Sequence, residues 1–376
     1  MILNEDQELI RETARRFASE QLAPGAAERD REARFPRKEI AEMGRLGLMG
    51  VTIPTEYDGA GADHVSLALA LEEVAAGDAS VATVLSGHNS VGCMPILTHG
   101  SDEQKERFLR PMARGEMLSA FALTEAQGGS EAANIKTTAR RNGDGYVLNG
   151  SKQFITSGAT AQVTLVFSST DPAAGAKGIS AFIVPTDLPG YQIVRKEDKL
   201  GQRASDTCQI AFENIELPDA LRLGAEGEGY RIALGNLEGG RIGIAAQCVG
   251  IAQAALDAAL AYAQERVTFG KPIVQHQAVA FRLAQMATAV EAARQLVHHA
   301  AALRDSGRPC LKEACMAKLN ASETAEKVCS DAIQTLGGYG YLTDFPVERY
   351  YRDARVTKIY EGTNDIQCMV IAKHMV

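Results

Sequence analysis

The chain has 376 residues, 45% of them hydrophobic, which is ample for a sizeable buried core and for two or three domains. A formal net charge of -8 argues against an extended nucleic-acid-binding face, though it leaves room for a local basic groove around a phosphorylated ligand. Seven cysteines with no C-x-x-C pair, and seven histidines without metal-ligand spacing, offer no disulfide or zinc framework.

The N-terminus turns acidic at once in Asn4-Glu5-Asp6, without the basic stretch or apolar core of a signal peptide. No apolar run reads as long enough to cross a membrane. A reduced, cytoplasmic protein without membrane insertion is the expectation. Residues 1 to about 117 read as helical. Asn4 can cap a first helix with Gln7 in capping-box register, and Leu9, Ala14 and Phe17 recur roughly at helical spacing. A second helix follows Pro36, another spans Val65 to Ala76, and Ser101 or Asp102 can cap one over residues 103–109.

From about 118 to 225 short β-rich runs take over: Tyr146 to Leu148, Gln153 to Thr156, Val163 to Phe167, Ile179 to Val184 and Cys208 to Phe212. Turn residues such as Asn142-Gly143-Asp144-Gly145 and Asn149-Gly150 separate them, as in an antiparallel barrel or sandwich. From about 226 the chain is Ala-rich and helical again. Ile242 to Gln264, Val279 to Leu303 and Leu311 to Leu336 have lengths suited to an antiparallel four-helix bundle. His298 and His299 are adjacent on one of these helices and cannot both face one metal. The order α, β, α argues against a doubly wound sheet. No G-x-G-x-x-G follows a predicted strand, so any dinucleotide must be bound outside a Rossmann unit.

Five segments carry candidate chemistry, each beside a plainer structural reading. Thr363 can cap a last helix, Asp365 to His374, and Gly362 frees the backbone before it. That sets Glu361 on a turn beside free helix N–H groups, where it can act as a general base or simply complement the helix dipole. The Gly-rich run Phe121 to Glu131 can cradle a phosphate or planar ring through backbone amides, or form a surface turn. A helix ending at Gly270 and Pro272 would account for Lys271, and less well for Arg266. Glu238 and Arg241, three apart near the start of a long helix, can pair on one helical face. Gly337-Gly338 can end a helix or admit a ligand close to the backbone. No Ser-His-Asp or Cys-His arrangement competes with these.

In this order and spacing the five segments resemble the acyl-CoA dehydrogenase family. Asn89 to Ile96, Leu148 to Thr156 and Tyr351 to Arg355 support the likeness, which spans essentially the whole chain and looks closest to short-chain and short/branched-chain members. The resemblance implies an α+β fold, mostly α: an N-terminal helical domain (1–117), a middle β-barrel (118–225) and a C-terminal four-helix bundle (226–376). It implies a homotetramer, a dimer of dimers, with FAD at a subunit interface. Phe121, Leu123, Thr124, Gly129, Ser130, Phe154, Ile155 and Thr156 would line the FAD, with Thr156 near flavin N5 and Phe154 over one ring face. Arg266, Gln277, Gln334, Gly337 and Gly338 match positions that reach a neighbouring subunit's FAD. Thr363, Asn364 and Asp365 match a further FAD-contacting stretch. Glu238 to Arg241 match the acyl-CoA-binding turn, and Ser130 and Gly362 match substrate contacts.

The reaction so implied turns a short- or medium-chain, straight or methyl-branched acyl-CoA into a trans-2-enoyl-CoA. Glu361 would take the α-proton, while its backbone N–H and a flavin ribityl hydroxyl would hold the thioester oxygen. The β-hydrogen would leave as hydride to flavin N5, with electron-transfer flavoprotein as the acceptor that follows. Burial of Glu361 by the acyl chain should raise its pKa toward neutrality.

The loop at Ala126-Gln127 departs from the commoner E-P-G-x-G-S-D, and loss of the Pro should loosen it. Glu238 replaces the usual Asp. The isovaleryl type places its base at the position of Gly240, which cannot serve. The Arg of glutaryl-CoA dehydrogenases and of the related sulfinopropionyl-CoA desulfinases aligns near Ala82, so a substrate with a distal acid is disfavoured. The long C-terminal extension of very-long-chain members is missing. An oxygen-using acyl-CoA oxidase would differ only in the wetness of the flavin site. A flavin monooxygenase of the same fold would not need Glu361. A non-catalytic acyl-CoA-binding protein predicts a broken FAD or base motif, and both are intact.

Overall fold

The computed structural model describes residues 2–375. Helix α1 (Glu5–Phe17) starts at Asn4, whose side chain accepts from the Gln7 N–H while Gln7 reaches back to the Asn4 N–H. Ala14 and Phe17 are buried, but Leu9 is 63% exposed, so Leu9 does not belong to the inward face. The chain does not break after Phe17. A π-type turn carries it into a further helix, Ala23–Glu32, ahead of the one that follows Pro36. Pro24 sits in the first turn of the Ala23–Glu32 helix. Helix α2 (His64–Gly77) is capped by Asp63, and Ser101 rather than Asp102 caps the helix before the sheet.

Strands β1 (Ser119–Ala122), β2 (Thr138–Asn142), β3 (Gly145–Thr156), β4 (Val163–Ser169), β5 (Ile179–Pro185), β6 (Tyr191–Lys196), β7 (Thr207–Pro218) and β8 (Arg222–Leu223) form one eight-stranded sheet. Its order is β6-β7-β3-β2-β4-β5-β8, with β1 beside β4. Pairing is antiparallel except where β1 and Thr138 of β2 run parallel to β4. Asn149-Gly150 is not a turn, because β3 runs straight through it. The register against β7 slips there and again between Lys152 and Ile155, so both are bulges. Gly150 is required at the first, since a Cβ would lie 2.5 Å from Thr137 Oγ1. At the second, Phe154 adopts φ 59° and is left 63% exposed.

Three long helices follow: α3 (Gly229–Glu265), α4 (Gln277–Asp305) and α5 (Leu311–Leu336), with α6 (Val347–Arg355) and α7 (Asn364–Lys373) packed on α5. Helix α3 takes in the Gly239-Gly240 pair and packs against α2, α4 and α5. It corrects one expectation, because it contains an apolar window long enough to cross a bilayer; most of that window is buried. Gly250 lets α2 close on α3, since a Cβ there would fall 2.1 Å from the Glu72 carbonyl oxygen. The Glu72 carboxylate then pairs with Arg294 (3.0 Å) and His298 (2.9 Å) of α4, which gives His298 a structural partner.

Helix α3 ends at Glu265, not at Gly270. Val267–Thr268 pairs antiparallel with Lys271–Pro272, and Gly270 at φ 78° makes the turn. Lys271 is therefore on a hairpin, its Nζ donating to the Gln275 carbonyl, and the helix-end account of it fails. Gly337, at φ 63°, does end α5.

Within a helix, Gly→Ala ordinarily stabilises by about 1 kcal/mol. Gly235→Ala, where a Cβ meets nothing within 4 Å, should raise the thermal midpoint. Gly250→Ala should lower it by several degrees, because the atom it would strike is backbone. Melting curves of the two variants followed by circular dichroism check both signs.

Candidate active site

The turn before α7 is built from two consecutive residues at positive φ, Glu361 at 55° and Gly362 at 85°. Thr363 then caps α7, accepting from the Ile366 N–H. The Glu361 N–H has no backbone acceptor among the described residues. Glu361 is half-buried as a residue, but its Oε2 is buried and has no hydrogen-bond partner. Burial pushes its pKa up to about 7, against the pull of Arg241 and Lys318. Gly240 of α3 faces the carboxylate: a Cβ there would lie 2.8 Å from Oε2.

Glu361 borders a cavity of about 110 Å³ whose wall also includes Phe121, Phe154 and Thr156. Four sequence-predicted residues thus meet in one place. The rest of the wall was not legible in the sequence. Thr83, Val84, Gly87, His88 and Val91 come from the Ala79–Gly87 helix and the π-type turn after it, Ser119 and Ala120 from β1, Ile244 from α3, with Ser157 and Tyr360 beside their predicted neighbours. His88 Nε2 lies 3.0 Å from the Met112 carbonyl, which can only accept, so Nε2 carries the proton. Burial pushes His88 down to about 4, leaving a neutral ring whose Nδ1 is buried without a partner; Ser119 Oγ is likewise unpartnered.

A second cavity, of about 460 Å³, is lined by Arg266, Gly337 and Gly338 with Tyr262, Thr335 and Tyr339. The Arg266 guanidinium stands 5.8 Å from the Tyr339 ring centroid. The two cavities share no lining residue. Gln277 and Gln334 are exposed on α4 and α5.

Of the Phe121 to Glu131 run, Leu123 is buried and its carbonyl accepts from Lys152 Nζ (2.9 Å), while the Thr124 carbonyl accepts from the Gln153 N–H (2.9 Å). Ile155 is buried, and Gly129 and Ser130 are exposed on the loop, outside the Glu361 cavity. The loop is tied rather than loose. Gln127 donates to Glu125 (2.7 Å) and to the Asn134 carbonyl (3.0 Å). Glu125 also accepts from the Lys136 and Thr137 N–H groups and from Lys152 at 2.8 Å. Burial alone would raise its pKa, but Lys152 and the N–H donors hold it down to about 2.

Glu238 and Arg241 do not pair with each other, which corrects the intrahelical reading. Packing supplies each with a partner from across the bundle. Glu238 meets Arg304 of α4 (2.9 Å) and accepts from the Cys310 thiol (3.2 Å). Arg241 points to Cys315 of α5 (3.5 Å), and its Nε is buried and unpartnered. The Asn364 side chain is engaged by Lys318, Ser322 and Glu323, and Asp365 is exposed.

Three domain descriptions of the acyl-CoA dehydrogenase family match the chain: the N-terminal domain over residues 4–116, the middle domain over 120–215 and the C-terminal domain over 227–376. The chain is 49% identical over 375 residues to an acyl-CoA dehydrogenase of Bacillus subtilis, covering 100% of this chain and 99% of the relative. It is 48% identical to the mitochondrial short-chain specific acyl-CoA dehydrogenase of Rattus norvegicus, covering 99% of this chain and 90% of that one. Its fold matches the butyryl-CoA dehydrogenase of Megasphaera elsdenii with a TM-score of 0.98 at 42% identity, over 100% of this chain and 99% of the other. The chain therefore belongs to the acyl-CoA dehydrogenase family and is an oxidoreductase of that class.

Proposed function

We propose that Glu361 removes the α-proton of a short- or medium-chain, straight or methyl-branched acyl-CoA, and that the enzyme works with FAD. The observation that carries this reading is a carboxylate poised near neutral pH, with an unpartnered oxygen, on the wall of a small cavity shared with Phe121, Phe154 and Thr156. These residues suit a flavin. Phe154 is an exposed aromatic set at positive φ on a bulge, and His88 and Ser119 leave polar atoms unsatisfied in the same wall. FAD, when bound, would supply the acceptor for the β-hydrogen.

The chain's own contribution follows from its geometry. The α-proton of a thioester is only weakly acidic, so the base must be placed close to it and the developing enolate charge stabilised. Glu361 offers both groups from one turn: the carboxylate for the proton, and a free backbone N–H for the thioester oxygen. Val84, Val91 and Ile244 present apolar surface to the cavity, which excludes water from the acyl chain. The names of the relatives above favour a short acyl group. Arg266, Gln277, Gln334, Gly337 and Gly338 stand apart from the Glu361 cavity, which supports their serving a neighbouring subunit's FAD in a homotetramer. Electron-transfer flavoprotein is the acceptor we infer, as the family resemblance implies, and free cysteines suit a cytoplasmic setting.

Glu361→Gln should keep its yellow FAD but slow anaerobic bleaching of the flavin by butyryl-CoA by about 10²–10⁴-fold. Bleaching at near wild-type rate would sink the assignment. In the wild type the base is the deprotonated form, so the bleaching rate should climb with pH through a midpoint near 7. Gly240→Ala should retain FAD and slow bleaching roughly tenfold by crowding Oε2; stopped-flow absorbance measures both.

A further inference from the structure

The conformation of the Glu361 turn is not one that its residues choose locally. Glycine tolerates positive φ, but glutamate rarely does, and here the two follow one another. Something must over-determine the turn for it to persist. Two buried side chains from different helices do so. Lys318 of α5 is fully buried, and its Nζ donates to the Gly362 carbonyl at 3.0 Å. Gln367 of α7 is also fully buried, and its Nε2 donates to the Gly362 carbonyl at 2.8 Å and to the Glu361 carbonyl at 3.2 Å. Gly362 is needed for this, because a Cβ there would stand 2.9 Å from that Nε2.

The clamp is itself held. Lys318 Nζ has a further acceptor in Asn364 Oδ1 (3.0 Å), and Ser322 Oγ meets the same oxygen at 3.2 Å. Both carbonyls of the turn are thereby occupied by protein donors. The Glu361 carboxylate and the Glu361 and Gly362 N–H groups are left without a protein partner among the described residues.

We propose that Lys318 and Gln367 are positioning residues for Glu361, fixing its backbone so that carboxylate and N–H are presented together to the cavity. The inference rests on Glu361 being the base. Gln367 acts by geometry alone. Lys318 acts by geometry and also by charge, since it favours the ionised form of Glu361. The other charged or titratable groups around that carboxylate are Arg241 of α3, with Cys315 of α5 beside it, Cys248 of α3 beside Lys318, Tyr360 in the turn and the neutral His88 across the cavity.

The test is the pH profile of anaerobic flavin bleaching by butyryl-CoA in the holoenzyme, for Gln367→Leu, Lys318→Met and Lys318→Arg. Gln367→Leu should slow bleaching roughly 10- to 100-fold with its midpoint unmoved and its FAD retained. Lys318→Met should slow it as well and raise the midpoint by about one pH unit, because a neighbouring cation is gone. Lys318→Arg should return the midpoint toward the wild-type value. If Lys318→Met does not fold, Gln367→Leu and Lys318→Arg decide the matter. Wild-type rates and midpoints throughout would overturn the proposal, as would rates that fall only in proportion to lost FAD. These failures are separate from failure of the base itself: in that case Glu361→Gln would bleach normally.

Discussion

An ionisable oxygen buried without a partner is costly, and the C-terminal half of this protein is arranged around one. Oε2 of Glu361 rests against Gly240, where a Cβ would stand 2.8 Å away. Gly240 lies on α3, the helix that packs against α2, α4 and α5. The longest helix of the fold thus brings the one residue type that leaves the carboxylate room. Two cations stand near enough to act on it, Arg241 and Lys318, yet neither pairs with it. Arg241 is turned to Cys315, and Lys318 is committed to backbone and Asn364 oxygens. Burial therefore outweighs attraction, and the acid is held near neutrality rather than locked as an ion.

Glu125 shows what the same side chain does under the opposite arrangement. It too is buried, but it receives Lys152 at 2.8 Å and two backbone N–H groups. Its pKa is held down to about 2, and it serves as the hub of the loop from Glu125 to Thr137. One glutamate is satisfied and structural; the other keeps a buried oxygen without a partner. What sets them apart is partners: Glu125 has Lys152 and two N–H donors, and Glu361 Oε2 has none.

That difference also decides what was legible in the sequence. Caps were readable because they are local: Asn4 with Gln7, a cap at Ser101 or Asp102 that the structure assigns to Ser101, and Thr363 before α7. The α, β, α order followed from composition and periodicity. The misreadings came where tertiary structure overrode a local signal. Asn149-Gly150 reads as a turn, yet pairing with β7 on either side keeps β3 whole and absorbs the irregularity as a bulge. Glu238 and Arg241 have ideal spacing for each other, yet α4 and α5 offer them partners from across the bundle. The turn and helix cap around Glu361 could be read because they are contiguous, but local spacing left its role open, and only the resemblance of the five segments together pointed to a base. Most of the cavity wall and the clamp could not be read, because Lys318 sits in the helical run Met316-Ala317-Lys318-Leu319-Asn320 and gives no sign that its ammonium is aimed at a carbonyl 44 residues away.

The residue before Glu361 extends the same logic to the middle sheet. The Tyr360 hydroxyl receives Gln202 Nε2 (3.2 Å) and donates to Gln247 of α3 (3.0 Å). Gln247 donates to the Thr83 hydroxyl (2.7 Å), which in turn donates to Gln202 Oε1, so the four side chains close a ring. Gln202 comes from the loop between β6 and β7, Gln247 from α3, and Thr83 from the N-terminal helices. The ring is anchored further, since Gln202 also donates to the Asp353 carbonyl (3.1 Å) and Gln247 to the Ala79 carbonyl (2.9 Å), which leaves little freedom to any member. Tyr360 is thereby fixed to all three regions of the chain, and Thr83 and Tyr360 both line the cavity that Glu361 borders. The placement of the carboxylate is then a property of how sheet and helices pack together.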